Sequence, residues 1–474
     1  MKRLSIFLVL VSIFALANAQ TFKNTHFSLP DLYLSVSSFA DVDNDGDLDL
    51  YLAGYSDDVS SVAGGLYIYE GSDYVLSESS GLPAVFMGSC FWADINGDGF
   101  LDIVIMGEDA SYTEITEVYQ NNGDGTFTSL NAGLLPAEQG EINFVDFDGD
   151  NDLDIAYTGY NSDDSDITKF YKNNGTGVFT EAIESNVPGM NWGRMKWADY
   201  DNDNDLDFLL SGYNNELDTF YTKIFKNNGD GTFVVSNANF FQCWLGDTEW
   251  GDFNDDGNID LVISGTGGDG TERHTYLYKN NGDGTFTQLD VAFPGVSHSS
   301  LEWADFNNDS TLDLFIVGET TTPGEGNSVS KIFINNGDET FTDSGVDNLN
   351  YSFYGDADAG DYDNDGKIDL VITGYLNPNY ESASAVFKNT TDLNISEINI
   401  DVSIYPTPAN EFFTIKSSST INKIEIFDIS GKKILSKNAN SKRIKMNIQN
   451  LTSGLYLLKI QTTSKIISKK LIVE

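Results

Sequence analysis

Through residues 30–390, short apolar runs alternate with glycine-rich acidic loops, and the alternation repeats itself. The segments FADVDNDGDLDLYLAG, WADINGDGFLDIVIMG, FVDFDGDNDLDIAYTG, WADYDNDNDLDFLLSG, WGDFNDDGNIDLVISG, WADFNNDSTLDLFIVG and AGDYDNDGKIDLVITG share one template. Their first aspartates, Asp41, Asp94, Asp146, Asp199, Asp252, Asp305 and Asp361, are separated by 53, 52, 53, 53, 53 and 56 residues. Downstream of the loops a second element recurs in YQNNGDGTFT, YKNNGTGVFT, FKNNGDGTFV, YKNNGDGTFT and FINNGDETFT, with YIYEGSDYVL as a divergent sixth. Asn-Gly or Asp-Gly between alternating runs predicts a β-hairpin.

Each repeat therefore predicts four antiparallel strands. One ends just before the first aspartate, and the second is an apolar run such as Leu261-Val262-Ile263. The third is the "YLYKNN" run and the fourth is "TFT". Four short strands per unit at this period predict an all-β chain built on a seven-bladed β-propeller. The seventh repeat has a third strand near Val386-Phe387-Lys388-Asn389 but no "TFT" after it. Residues 21–28, beginning Thr21-Phe22, are expected to supply that strand and close the ring, which removes exposed sheet edges.

The loops carry the candidate chemistry. Position 1 is always Asp. Position 3 is Asp43, Asn96, Asp148, Asp201, Asn254, Asn307 or Asp363. Position 5 is Asp45, Asp98, Asp150, Asp203, Asp256, Asp309 or Asp365, and position 9 is Asp49, Asp102, Asp154, Asp207, Asp260, Asp313 or Asp369. Oxygen donors alone at four positions suit a hard cation such as calcium, and unpaired carboxylates this close repel one another. Position 6 must turn sharply: Gly46, Gly99, Gly257 and Gly366 permit positive φ, and Asn151 and Asn204 tolerate it. Ser310 fits least well, so the sixth loop is expected to be the weakest site. An EF-hand is excluded, because its position 12 must be Glu between helices. Here that position is Leu52, Ile105, Tyr157, Leu210, Ile263, Ile316 or Ile372, inside β-type runs.

The pattern closely resembles the FG-GAP/VCBS-type repeats of integrin-α-like propellers over about residues 30–390. The resemblance implies up to seven calcium ions, held by side chains at positions 1, 3, 5 and 9 and a main-chain carbonyl at position 7. Those carbonyls would belong to Asp47, Phe100, Asp152, Asp205, Asn258, Thr311 and Lys367.

Charge sharpens the domain division. The chain carries 26 basic and 73 acidic residues, a net −47. Residues 395–474 are nevertheless basic, at net +6, which leaves residues 21–394 at net −55. So acidic a body excludes nucleic acid and anionic lipid as partners. The basic tail contains Ile404-Tyr405-Pro406-Thr407-Pro408-Ala409-Asn410, the run from Ile424 to Lys433 and the run from Leu451 to Ile460. These predict a small β-sandwich and resemble the C-terminal sorting domain of the type IX secretion system. That family more often has Pro-Asn-Pro at the first motif. The resemblance implies engagement of the secretion machinery and a secreted or outer-membrane cell-surface destination. Lys2 and Arg3, an apolar run from Leu4 to Ala17 and Ala17-Asn18-Ala19 read as a signal peptide. The expected organisation is a signal peptide at 1–19, the propeller at 20–392 and the sorting domain at 393–474, with no transmembrane span in the mature chain. Cys90 and Cys243 fall in non-adjacent repeats and are expected to be unpaired and buried.

A ligand is expected on the face away from the calcium loops, where the segments between repeats vary most. Tyr55, Tyr160, Tyr213, Tyr375, Trp192, Trp244 and His298 lie in those segments. Three functions remain open: a glycan- or protein-binding adhesion module, a polysaccharide lyase-like enzyme relying on Arg194 and Lys196, and a structural surface-layer component.

Overall fold

In a computed structural model, residues 20–473 are described apart from 183–186, 269, 321–327, 350–351, 377–380, 392–401, 406–408, 410–411, 428–432, 450, 452–453 and 463–465. The signal peptide, the junction around residue 393, and the Pro406–Pro408 and 428–432 parts of the tail motifs lie outside the described residues. Every helix-or-strand element among those described is a β-strand. The chain divides into two compact units, Met1–Asp392 and Leu393–Glu474.

Among the described residues the first unit contains seven antiparallel sheets. The first comprises Tyr33–Ala40, Asp49–Ser56, Ser61–Tyr69 and Tyr74–Leu76 in that spatial order. The others repeat it, with the innermost strand of the fifth split into Cys243–Trp244 and Thr248–Gly251 and that of the seventh into Ser352–Phe353 and Ala357–Gly360. The outermost strand of the seventh sheet is Phe22–Asn24, paired antiparallel to Glu381–Asn389 with Phe22 opposite Asn389. The innermost strands touch in cyclic order, the seventh meeting the first. This is a β-propeller.

The second strand of each sheet has lost the alternation of a half-exposed strand. Leu261, Val262 and Ile263 are all fully buried, because each sheet is covered on both faces by its neighbours. The core is therefore a set of sheet-to-sheet layers. Val104, Met106 and Val118 of the second sheet pack with Ile142, Phe144 and Tyr157 of the third, each large side chain contributing about 1.5–3 kcal/mol. The glycine that ends the apolar run in every repeat has a steric reason. The start of the innermost strand crosses it so closely that a Cβ on Gly159 would lie 2.6 Å from the Glu138 carbonyl oxygen. On the crossing strand itself, a Cβ on Gly246 would lie 2.0 Å from the Ser264 carbonyl oxygen and one on Gly140 1.8 Å from that of Thr158.

The second unit is a five-stranded sheet of Ser403–Tyr405, Phe412–Phe427, Lys433–Asn447, Gly454–Thr462 and Ile466–Val473. A register shift between Lys416 and Ile421 divides the long second strand into two arms. Phe413 and Ile415 from one arm and Ile424 and Ile426 from the other meet in one cluster, the face-to-face closure expected of a small sandwich.

Gly140→Ala should lower stability by several kcal/mol or prevent folding, since backbone must move. Gly125→Ala, whose Cβ meets nothing within 4 Å at φ +81°, should cost only about 1–2 kcal/mol. Urea midpoints of the two variants would separate them.

Candidate metal loops, axial channel and opposite face

Each acidic loop joins the innermost strand of a sheet to its second strand. The position-1 carboxylate is fixed from below by the loop's own backbone. In the fifth loop, Asp252 Oδ1 accepts the N–H of Asp256 at 3.1 Å and Oδ2 accepts that of Gly257 at 2.8 Å. The same two donors, positions 5 and 6, serve position 1 in all seven loops. Position 6 has positive φ throughout, from +70° at Asn151 to +97° at Gly46, and Ser310 adopts it at +73°. Position 4 does so too, at Asn44, Gly97, Gly149, Asn202, Asp255, Asn308 and Asn364. The expectation missed this second left-handed residue, although only Asn, Gly and Asp occur there, the types that tolerate the conformation.

Position 9 is the root of the loop. Asp102, Asp154, Asp207, Asp260, Asp313 and Asp369 are fully buried and Asp49 nearly so. One oxygen of each accepts a main-chain N–H from the end of the third strand, at 2.6–3.0 Å. Burial pushes the carboxyl up to about 7 in Asp49, Asp154, Asp207, Asp260, Asp313 and Asp369, and to about 6 in Asp102. Oδ2 of Asp154, Asp207 and Asp260 and Oδ1 of Asp148, Asp201 and Asp363 are buried and meet no donor. Ligand oxygens converge within 4.8 Å in Asp41/Asp43/Asp45, Asp146/Asp148/Asp154, Asp199/Asp201/Asp203 and Asp361/Asp363/Asp365. Asp148, Asp154, Asp201 and Asp363 each have a buried donorless oxygen and each belong to one of these clusters, an arrangement that fits a hard divalent cation. Of the position-7 residues, Asp47, Phe100, Asp152, Asp205, Asn258 and Thr311 donate their N–H to the position-5 carboxylate.

The third strand also supplies a residue that the expectation passed over. The Asn that ends the third strand clamps two sheets in five repeats, whereas Asn173 donates to the Leu153 carbonyl of its own loop at 3.0 Å. Asn280 Nδ2 donates to the Ile259 carbonyl of its own loop at 3.0 Å and to the Tyr200 carbonyl of the preceding loop at 2.7 Å. Asn121, Asn227, Asn335 and Asn389 bridge in the same way. In the first sheet Tyr69 stands in the Asn register, and Tyr74 Oη donates instead to the Leu48 carbonyl at 2.8 Å. There Phe27, Tyr69, Tyr74 and Tyr362 pack edge to face across the seam with the seventh sheet.

The FG-GAP-like repeat model matches residues 41–105, 94–157, 146–210 and 252–316, and the secretion system C-terminal sorting domain matches 403–474. The chain is an FG-GAP-like repeat protein with a type IX sorting domain. It is secreted or displayed at the cell surface, and its tail ties it to the type IX machinery. No curated protein matches it. Among solved structures it is similar to PorZ, a surface component of the type IX system of Porphyromonas gingivalis, at 10% identity and TM-score 0.43 over 95% of this chain. The chain spans 60% of PorZ's length. It is similar also to the six-bladed fucose-recognising lectin of Aleuria aurantia (11% identity, TM-score 0.34, 61% of this chain and 88% of the lectin). A third similarity is to the Vibrio cholerae biofilm matrix protein Bap1 (11% identity, TM-score 0.25, 96% and 85%). Among the described residues no helix is long and apolar enough to cross a membrane.

The innermost strands of the FG-GAP-like repeats enclose an axial cavity of about 660 Å3. Arg194 and Lys196 line it, and both are ion-paired: Arg194 with Asp247 at 3.2 Å, Lys196 with Glu141 at 2.9 Å and Glu249 at 2.5 Å. Several of the channel's acids cap backbone of the neighbouring sheet. Glu141 accepts the N–H of Met195 at 2.7 Å, Asp247 that of Leu301 at 2.9 Å and Asp356 that of Ser37 at 2.8 Å. Cys90 is half-buried at this cavity rather than fully buried, whereas Cys243 is buried; both thiols are free.

The far end of the channel is narrowed by one residue from each repeat: Leu34, Met87, Gln139, Trp192, Leu245, His298 and Tyr354, around a gap of about 70 Å3. Each lies seven residues before its loop's first aspartate, and each has φ between +45° and +53°. Left-handed backbone at bulky residues stores strain. It is imposed by the bulge where the innermost strand steps over the second-strand glycine. From His298 and Tyr354 of this ring, a chain of aromatic contacts continues over the same face. His298, Tyr354, Phe353, Tyr375, Tyr33, Tyr55, Phe86 and Tyr112 follow one another at centroid separations from 3.7 to 6.2 Å. Tyr213, Trp244 and Phe220 form a second group, and Tyr160 stands apart, bonded to Asp164.

Glu302 in the channel faces Asp358, Glu249, Asp247 and Lys196, and burial raises its carboxyl well above the usual range. A raised carboxyl supports the fold fully below about pH 4 and stops doing so as pH rises through its folded value. Glu302→Gln should therefore raise Tm by roughly 2 °C at pH 8 and leave it unchanged at pH 4, as read by calorimetry.

Proposed function

We propose that the protein is a calcium-stabilised extracellular module that binds a glycan on the face opposite its acidic loops. The aromatic arc carries this reading. Tyr33, Tyr55 and Tyr375 are half-buried and Tyr112 is 66% exposed, with Tyr33 and Tyr375 stacked on each other at 4.1 Å, so a contiguous aromatic surface is partly open to solvent across the first, second and seventh sheets. Amphipathic rings of this kind stack on the apolar faces of sugars while their hydroxyls bond sugar oxygens. The lyase alternative rests on Arg194 and Lys196, whose charges are already taken by carboxylates inside the channel.

A glycan array probed with the full chain tests this. Tyr33→Ala and Tyr375→Ala should each weaken retained binding about tenfold, ~1.4 kcal/mol, with the fold intact by circular dichroism. Binding indifferent to both substitutions would overturn the reading.

Calcium is proposed as the cation of the loops, on the strength of the donorless buried oxygens. At 10 mM calcium, a site with dissociation constant of about 10⁻⁴–10⁻³ M stabilises the fold by roughly 1.4–2.7 kcal/mol. Chelation should lower Tm accordingly. A melting curve unmoved by exhaustive chelation would rule calcium out.

A further inference from the structure

Four of the third strands carry a lysine immediately before the clamping Asn: Lys172, Lys226, Lys279 and Lys388. Ile68, Gln120 and Ile334 hold the same register in the first, second and sixth sheets. The ammonium groups reach into the acidic loops. Lys172 lies 2.8 Å from Asp148. Lys226 pairs with Asp201 and lies 3.0 Å from Asp203, and Lys388 pairs with Asp363 and lies 3.0 Å from Asp365. Lys279 is more remote, 3.7 Å from Asp256, and is shared with Glu339.

The lysines are matched to loop charge. The third, fourth and seventh loops have Asp at position 3, and there the lysine bonds that carboxylate directly. The second and sixth loops have Asn96 and Asn307 at position 3 and no lysine; the fifth has Asn254 and the distant Lys279. Only the first loop combines Asp43 at position 3 with an apolar residue, Ile68, in the lysine register.

We propose that Lys172, Lys226 and Lys388 are tethered counter-cations that stand in for the metal in the third, fourth and seventh loops, and that the first loop is consequently the tightest calcium site. The inference rests on the calcium reading above. A tethered ammonium competes at the high effective concentration set by its short tether, so a free dication must displace it before taking the same oxygens. The first loop offers four carboxylates with no internal competitor. The order of affinities is then set by the third strand rather than by the turn residue at position 6. It displaces the sixth loop from the weakest place that Ser310 suggested, since that loop has no lysine.

Calorimetric calcium titration of the full chain tests this, alongside melting in chelator. The wild type should show one tight site. The triple variant Lys172→Met, Lys226→Met, Lys388→Met should gain affinity about tenfold or more at three further sites, while melting earlier in chelator because its internal cations are gone. Ile68→Lys makes the reverse change and should abolish the tight site, so the proposal stays testable should the triple variant fold poorly. Calcium binding that neither change alters would overturn the lysine proposal while leaving the calcium reading intact. No binding by any variant would overturn both.

Discussion

A carboxylate buried at the root of each loop is the constraint on which the rest of the first unit depends. Asp260 and its six counterparts sit among apolar side chains with one oxygen held by the third strand. That single bond fixes where the innermost, second and third strands lie relative to one another. The Asn that supplies the N–H uses its side chain to reach the preceding loop. Loop geometry and sheet-to-sheet spacing are thereby one property. Burying a charge in this way is costly without a partner: in Asp49, Asp102, Asp313 and Asp369 the second oxygen accepts the N–H of the position-2 residue, whereas in Asp154, Asp207 and Asp260 it meets no donor.

Much of this was legible in the sequence because period is a strong signal. The acidic loops, the Asn-Gly hairpins and the missing last strand each follow from residue type and spacing, and Phe22–Asn24 pairs as that argument requires. What escaped is what the residue type at a single position does not encode. The clamping Asn was visible only as part of a hairpin motif, since its role depends on a carbonyl about eighty residues away, such as Phe147 for Asn227. The left-handed ring has no side-chain signature at all, running Leu, Met, Gln, Trp, Leu, His, Tyr. Its trace lies one residue later, in Ser35, Gly88, Gly140, Gly193, Gly246, Ser299 and Gly355, small because second-strand backbone passes over them.

The two faces of the propeller are built on different physics. One is a crown of carboxylates whose geometry is repeated almost without variation. The other keeps the same backbone, down to the same positive φ, and changes the side chain at every repeat. A rigid, repeated frame with a variable surface is the arrangement in which recognition can diverge without disturbing the fold. Arg194 and Lys196 belong to neither face; paired inside the channel, they join the third, fourth and fifth sheets.

At the seam between the first and seventh sheets, Tyr69 holds the clamp register and an aromatic quartet stands in place of an amide bridge. This seam is the only junction whose strands come from opposite ends of the unit, so it cannot form until residue 389 has been made. Joining ends so far apart carries the largest loop-closure entropy in the molecule, and apolar ring packing supplies a driving force that needs no ion. The circle can therefore be completed by apolar contact alone, so that closing the ring does not wait on whatever neutralises the acidic loops.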